Sequence, residues 1–166
     1  MNGITIREAT EQDRDAIRAI EEAAFGQDGE ARLVELLVGA SDDVLELVAE
    51  RDGELVGHVL FSRLMVETRN RSFAAVALAP LAVSPAAQGQ GIGVALVEEA
   101  HRRLRAAGET LSVVLGDPAY YGRFGYAHES AAGFESDYQG EALQAISWGE
   151  APASGRLVYA PAFQEL

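Results

Sequence analysis

The six residues Gln88-Gly89-Gln90-Gly91-Ile92-Gly93 stand between an apolar run and an amphipathic stretch, and they constrain this chain more than any other segment. Upstream, Phe73 to Val83 is almost continuously apolar, as expected of a strand buried on both faces. Downstream, Ile92, Leu96, Ala100 and Leu104 recur at helical spacing, which predicts a helix from about Gly91 to Ala107 with Gly108 as its stop. Glycine lets backbone approach a ligand closely and take positive φ. A helix start adds unpaired N–H groups and the positive end of the helix dipole. Strand, glycine loop and helix together make an anion site suited to a pyrophosphate. The plainer reading is a tight turn with no ligand, and three glycines in five residues argue against it.

The flanking sequence predicts a mixed α/β fold. Ile4 and Ile6 around Thr5 read as a first strand, and Thr10 with Asp13 as a helix N-cap with an acidic third position. Ala16, Ile17, Ile20 and Ala24 give one helix, and Glu30 to Leu37 a second. Leu45, Leu47 and Ala49 alternate with Glu46 and Glu50, Asp52-Gly53 makes a hairpin turn, and Leu55 to Leu64 is the return strand. Pro80 lies inside the next strand. It cannot donate to a ladder, so pairing should be bulged or broken near it. Leu111 to Leu115 is another buried strand, Pro118 opens a short helix, and Phe124-Gly125-Tyr126 leads back into strand. Residues 127–155 show no period, and Leu157 to Tyr159 reads as a last strand. At 166 residues, one domain over 1–166 is expected.

Composition narrows the chemistry. There is no cysteine, which removes disulfides, thiolate nucleophiles and thiolate metal sites and agrees with a cytoplasmic home. The N-terminus has no signal-peptide pattern, and no apolar run reaches the roughly 18 residues of a membrane helix. The net charge of −13 disfavours nucleic acid. Every basic residue is Arg, so a Walker-type phosphate loop, which needs Lys, is excluded. Residues 1–54 carry a balance of −10, residues 55–124 one of +2 and residues 125–166 one of −5. An electropositive middle in an acidic chain suits an anionic cofactor at the centre and a cationic partner at the rim.

Which pyrophosphate ligand fits is open to two readings. A dinucleotide fingerprint needs a small residue where Val94 stands and normally opens a domain, although Asp117 falls about where a ribose-binding acid would. The stretch LAVSPAAQGQGIGVALVEEA resembles instead the acyl-CoA signature of the GNAT superfamily of N-acetyltransferases, with Gln88, Gly91 and Gly93 in order. VVLGDPAYYGRFGY is similar to the second motif of that family, with Tyr121 five residues before Tyr126 and Gly125 between them. DPAYYGRFGY and the closing GRLVYAPAF resemble one subgroup of small bacterial members.

The resemblance implies a GNAT fold whose fourth and fifth strands splay, with the pantetheine of acetyl-CoA in the gap. Leu81, Ala82 and Val83 would pair with the pantetheine, and the amides of Gly89, Gln90, Gly91, Ile92 and Gly93 would meet the pyrophosphate. Tyr121 takes the position of the proton donor to the leaving thiolate. A phenol, with a pKa near 10, donates without ionising first. Tyr120 reads as packing against core or cofactor. Arg123 reads as a surface residue or a phosphate contact. Arg102, Arg103 and Arg105 read as partners of Glu98 and Glu99 or as phosphate contacts. Asp117 stands where many members carry an Asn that touches pantetheine.

No acid or His lies in residues 73–83, so a base must come from elsewhere: His58, Ser62 and Glu67 are candidates, or water serves. His101 and His128 lack metal-ligand spacing, and no metal is expected. The implied function is acetyl transfer from acetyl-CoA to a primary amine of a small molecule, peptide or protein, with a cationic acceptor favoured and a homodimer an expectation. A CoA-sensing module without chemistry and a Rossmann-like nucleotide binder are the competing readings.

Overall fold

A computed structural model describes residues 3–165. The elements run β1 (Ile4–Glu8), a 3-10 turn, α1 (Arg14–Phe25), α2 (Gly29–Gly39), β2 (Asp43–Arg51), β3 (Glu54–Glu67) and β4 (Ser72–Val83). Then come α3 (Ile92–Ala106), β5 (Leu111–Leu115), α4 (Pro118–Tyr121), β6 (Phe134–Glu135), β7 (Leu143–Ser147) and β8 (Gly155–Val158). Along its main path the sheet has the order β1-β2-β3-β4-β5-β7, antiparallel except where β4 and β5 run parallel, and β6 pairs in parallel with β8 beside that path. β2 leaves β3 at Ser62, and β8 takes up the same edge from Met65 to Glu67. The return strand is therefore longer than the Leu55 to Leu64 that its sequence predicts.

Helices cover both faces. Leu45, Leu47 and Ala49 of β2 point with Phe61 and Leu78 toward Ile92, Leu96 and Leu104 of α3. Val48 and Leu60 point the other way, toward Ile17 of α1 and Leu33 and Leu37 of α2. Each fully buried aliphatic side chain contributes about 1.5–3 kcal/mol. This double cover puts the alternate positions of β2 and β3 inside as well, and two of them are Glu46 and His58. The N-terminal cap is as the sequence predicts: the Asp13 carboxylate accepts from the Thr10 N–H at 2.8 Å, and Arg7 clamps the same carboxylate at 2.8 and 2.9 Å.

One expected strand is absent. Phe124-Gly125-Tyr126 does not enter a strand. Gly122 to Phe124 form a 3-10 turn closed by Gly125 at φ +103°, and only Ala127 bridges to Ala145. The aperiodic stretch 127–155 holds β6 and β7. β7 is short and β6 is two residues long, so neither carries a readable period.

Candidate active site

The ladder between β4 and β5 is three residues long, ending at Leu78 opposite Val114. Beyond it β4 continues to Val83 with no partner on that side. The cause is local. Ala79 and Pro80 lie between Leu78, which faces Phe61, and Leu81, which faces Val59, so two residues of β4 oppose one of β3. This bulge stands where Pro80 predicts one. The strands part before Pro80 rather than after it.

Past the bulge, alternation fixes which amides are open. The Ser84 N–H donates to the Val56 carbonyl at 2.9 Å, so Ser84 and Ala82 turn their backbone groups to β3. Leu81 and Val83 turn theirs to the gap. The Val83 carbonyl accepts from the Gln88 amide at 3.0 Å. Of the three positions named for pantetheine, Leu81 and Val83 line the gap, and Ala82 is buried opposite His58.

The gap opens into two cavities. One, of about 600 Å³ on the α3 side, is lined by Leu81, Val83, Tyr120 and the loop residues Gln88, Gly89, Gly91, Ile92 and Gly93. Gly91 caps α3 at φ +81°, a conformation that other residues take only under strain, and this aims the helix N-terminus at the cavity. At Gly93 a Cβ would sit 2.5 Å from the Tyr120 hydroxyl, so a side chain there would displace that ring. Gln90 lies outside the lining and accepts from Arg51 at 2.7 Å. Arg123 stacks over the Tyr120 ring at 4.7 Å and also borders an outer groove with Arg102 and Arg105. Arg102 and Arg103 both pair with Glu99.

The other cavity, of about 570 Å³, lies on the α1–α2 side between Phe25, Glu30, Leu33, Leu78, Pro80 and Leu115. Leu81, Asp117 and Tyr121 line both cavities and so mark the passage between them. The Asp117 side chain caps α4, accepting from the Ala119 N–H at 3.0 Å. That cap swings the short helix so that the Tyr121 ring lies against Gly116, where a Cβ would be 2.5 Å away. Burial, and then Tyr120, push the Tyr121 phenol up to about 12, so it stays protonated. Tyr126 is buried beneath, its hydroxyl 2.8 Å from Ser112 and 2.9 Å from His101. Burial, and then Arg105, lower His101 to about 4.

None of the three candidate bases lines either cavity. Glu67 is at the far end of β3, bonded to Ser72. Ser62 is buried, and its Oγ has no partner among the described residues. His58 is fully buried, with Nδ1 2.6 Å from Glu21 and Nε2 2.8 Å from Glu46, whose carboxylate also pairs with Arg14. Burial works against the His58 cation, but two carboxylates outweigh it and raise its pKa. Burial likewise works against the Glu46 carboxylate, and His58 with Arg14 outweigh it, so its pKa falls. Burial outweighs His58 at Glu21 and raises the pKa of its carboxyl. This chain of four linked polar groups joins α1 to β2 and β3. Its periodic signal was the pairing of Glu46 and His58 with apolar alternation on strands covered on both faces. Among the described residues no group of acids and histidines is arranged to hold a metal.

Residues 5–128 match the acetyltransferase (GNAT) domain family, and the chain belongs to it. It is 39% identical to the uncharacterized N-acetyltransferase YjhQ of Escherichia coli K12 over 69% of its own length, a match that spans 64% of YjhQ. It is 39% identical to YhbS of the same organism over 69% of this chain and 68% of that one. The crystal structure of E. coli YhbS in complex with CoA superposes with a TM-score of 0.89 at 31% identity, over 97% of this chain and 92% of that one. A GNAT acetyltransferase from Brucella melitensis in complex with acetyl-CoA gives 0.83 at 33% identity, over 98% and 99%.

Proposed function

We propose that this chain transfers the acetyl group of acetyl-CoA to a primary amine, with the thioester threaded through the gap between β4 and β5. The observation that carries the reading is that Leu81, Asp117 and Tyr121 border both cavities, so a cofactor entering from the α3 side and an amine entering from the α1–α2 side meet at one phenol. The pyrophosphate would lie at the N-terminus of α3, on amides of residues 89–93, and pantetheine along Leu81 and Val83. Arg123 would reach a phosphate from its seat on Tyr120. Solved relatives holding CoA and acetyl-CoA support this choice of cofactor over a dinucleotide.

The chemistry follows from the placement. The acceptor ammonium loses a proton to water at the open mouth, and the neutral amine attacks the thioester carbonyl. A C–N bond forms and negative charge builds on the carbonyl oxygen. As the C–S bond breaks, the Tyr121 hydroxyl donates its proton to the departing sulfur, the acylated nitrogen releases its extra proton to water, and the phenolate takes a proton back from solvent. A phenol with a pKa of about 12 is protonated at any working pH, so it serves as donor and not as base. Replacing Tyr121 with Phe keeps the ring that packs on Gly116 and removes the proton. The expected result is a fall in kcat of about two to four decades with the acetyl-CoA Kd nearly unchanged. Equal losses in both would assign Tyr121 to packing alone.

A further inference from the structure

The cavity on the α1–α2 side carries a signature that acetyl transfer alone does not require. Phe25 is 43% exposed and Leu115 50% exposed, and both line this cavity, so its mouth presents apolar surface. Leu33, Leu78 and Pro80 form its floor. Its charged lining side chains are Glu30 and Asp117, with no arginine or histidine among them. Asp117 is committed to the cap of α4. Glu30 is only steadied, by the Gln27 amide at 3.2 and 3.4 Å, and keeps acceptor capacity for a ligand. The wall that presents these groups is anchored. Glu21, held by His58, lies one helical turn before Phe25 on the same face of α1.

We propose that Glu30 determines acceptor specificity, and that the acceptor is a primary ammonium carried on an apolar, uncharged stem. The proposal rests on reading this cavity as the acceptor's entrance. The stem covers Phe25 and Leu115, and the ammonium meets the Glu30 carboxylate on its way to Tyr121. An amine that also carries an acid sets that acid against Glu30 and Asp117 in a partly desolvated space, which like charges disfavour.

With acetyl-CoA saturating, thiol release is measured for phenethylamine and hexylamine against taurine and glutamate. The wild-type protein should favour the apolar amines. Glu30→Gln should raise the KM for phenethylamine roughly tenfold or more, with kcat little changed, the loss expected for one charge-assisted hydrogen bond. Glu30→Lys should move the preference toward taurine. Leu115→Gln should raise the KM for phenethylamine and not that for methylamine, which has no stem. Equal use of taurine and phenethylamine by the wild type, or an unchanged KM in Glu30→Gln, overturns the proposal while leaving amine acetylation standing. Thiol release with none of these amines, from a protein that binds acetyl-CoA, also overturns the proposed acceptor class, whereas failure to bind acetyl-CoA overturns the transferase reading itself.

Discussion

The two cavities that meet at Tyr121 are walled by different materials. On the α3 side the wall offers open backbone, with a helix N-terminus, a loop with Gly89 at φ +77° and Gly91 at φ +81° and the free edge of β4, flanked by Tyr120 and Arg123. On the α1–α2 side the wall is side chains: Phe25, Glu30, Leu33 and Leu115, with α1 tied to the sheet behind them through Glu21, His58 and Glu46. A backbone wall recognises what every acyl-CoA shares, amides and phosphates. A side-chain wall recognises what distinguishes one acceptor from another. The difference teaches where substitutions should act: changes on one side alter cofactor affinity, and changes on the other alter stability or acceptor choice.

The largest test of that division is His58→Ala. It leaves Glu21 and Glu46 facing each other without the imidazole between them, and breaking a buried ion pair costs about 3–5 kcal/mol. The melting temperature should fall steeply, while Tyr121 and the glycine loop keep their places. A variant as stable as the wild type would mean that the ion chain does not hold α1. Next in size is Gly93→Val. Its side chain drives into the Tyr120 hydroxyl, and overpacking of about 1–3 kcal/mol should weaken acetyl-CoA by roughly ten- to a hundredfold. The acceptor KM should move little, and equal damage to both substrates would erase the distinction between the two walls.

The smallest effect is in pH dependence, where the two buried histidines differ in sign. The His101 pKa is lowered, so its imidazole is neutral in the fold, and its contribution is lost as pH falls from about 6.5 through about 4. His58 is raised by its carboxylates, so its contribution is full below about 6.5 and is lost as pH rises through its higher folded value. NMR titration of the imidazole resonances should find His101 titrating below the ordinary imidazole value and His58 above it. The reverse order would contradict the burial and partners described for both.

The same contrast explains what the sequence made legible. Gly91 and Gly93 announce the cofactor side because few other residues fit a helix cap at positive φ or a contact with Tyr120. Pro80 announces the bulge because proline cannot donate to a ladder. Tyr121 is readable only through the resemblance of its motif to the GNAT family, whereas its raised pKa depends on burial that only the assembled fold provides. The α1–α2 side is different. Phe25, Glu30 and Leu115 come from three separate segments, and nothing in their local sequence ties them together. His58 is visible as an odd residue on a strand, but Glu21 is drawn from α1 and Glu46 from β2, a meeting set by tertiary packing. β6 and β7 are too short to announce themselves at all.

If the gap between β4 and β5 holds the thioester with its sulfur at Tyr121, a crystal structure of this protein with CoA should show pantetheine amides bonded to the backbone of Leu81 and Val83 and the CoA sulfur within hydrogen-bond reach of the Tyr121 hydroxyl. Cofactor bound in the outer groove by Arg102 and Arg105 with the gap left empty, or a sulfur remote from that hydroxyl, would contradict it.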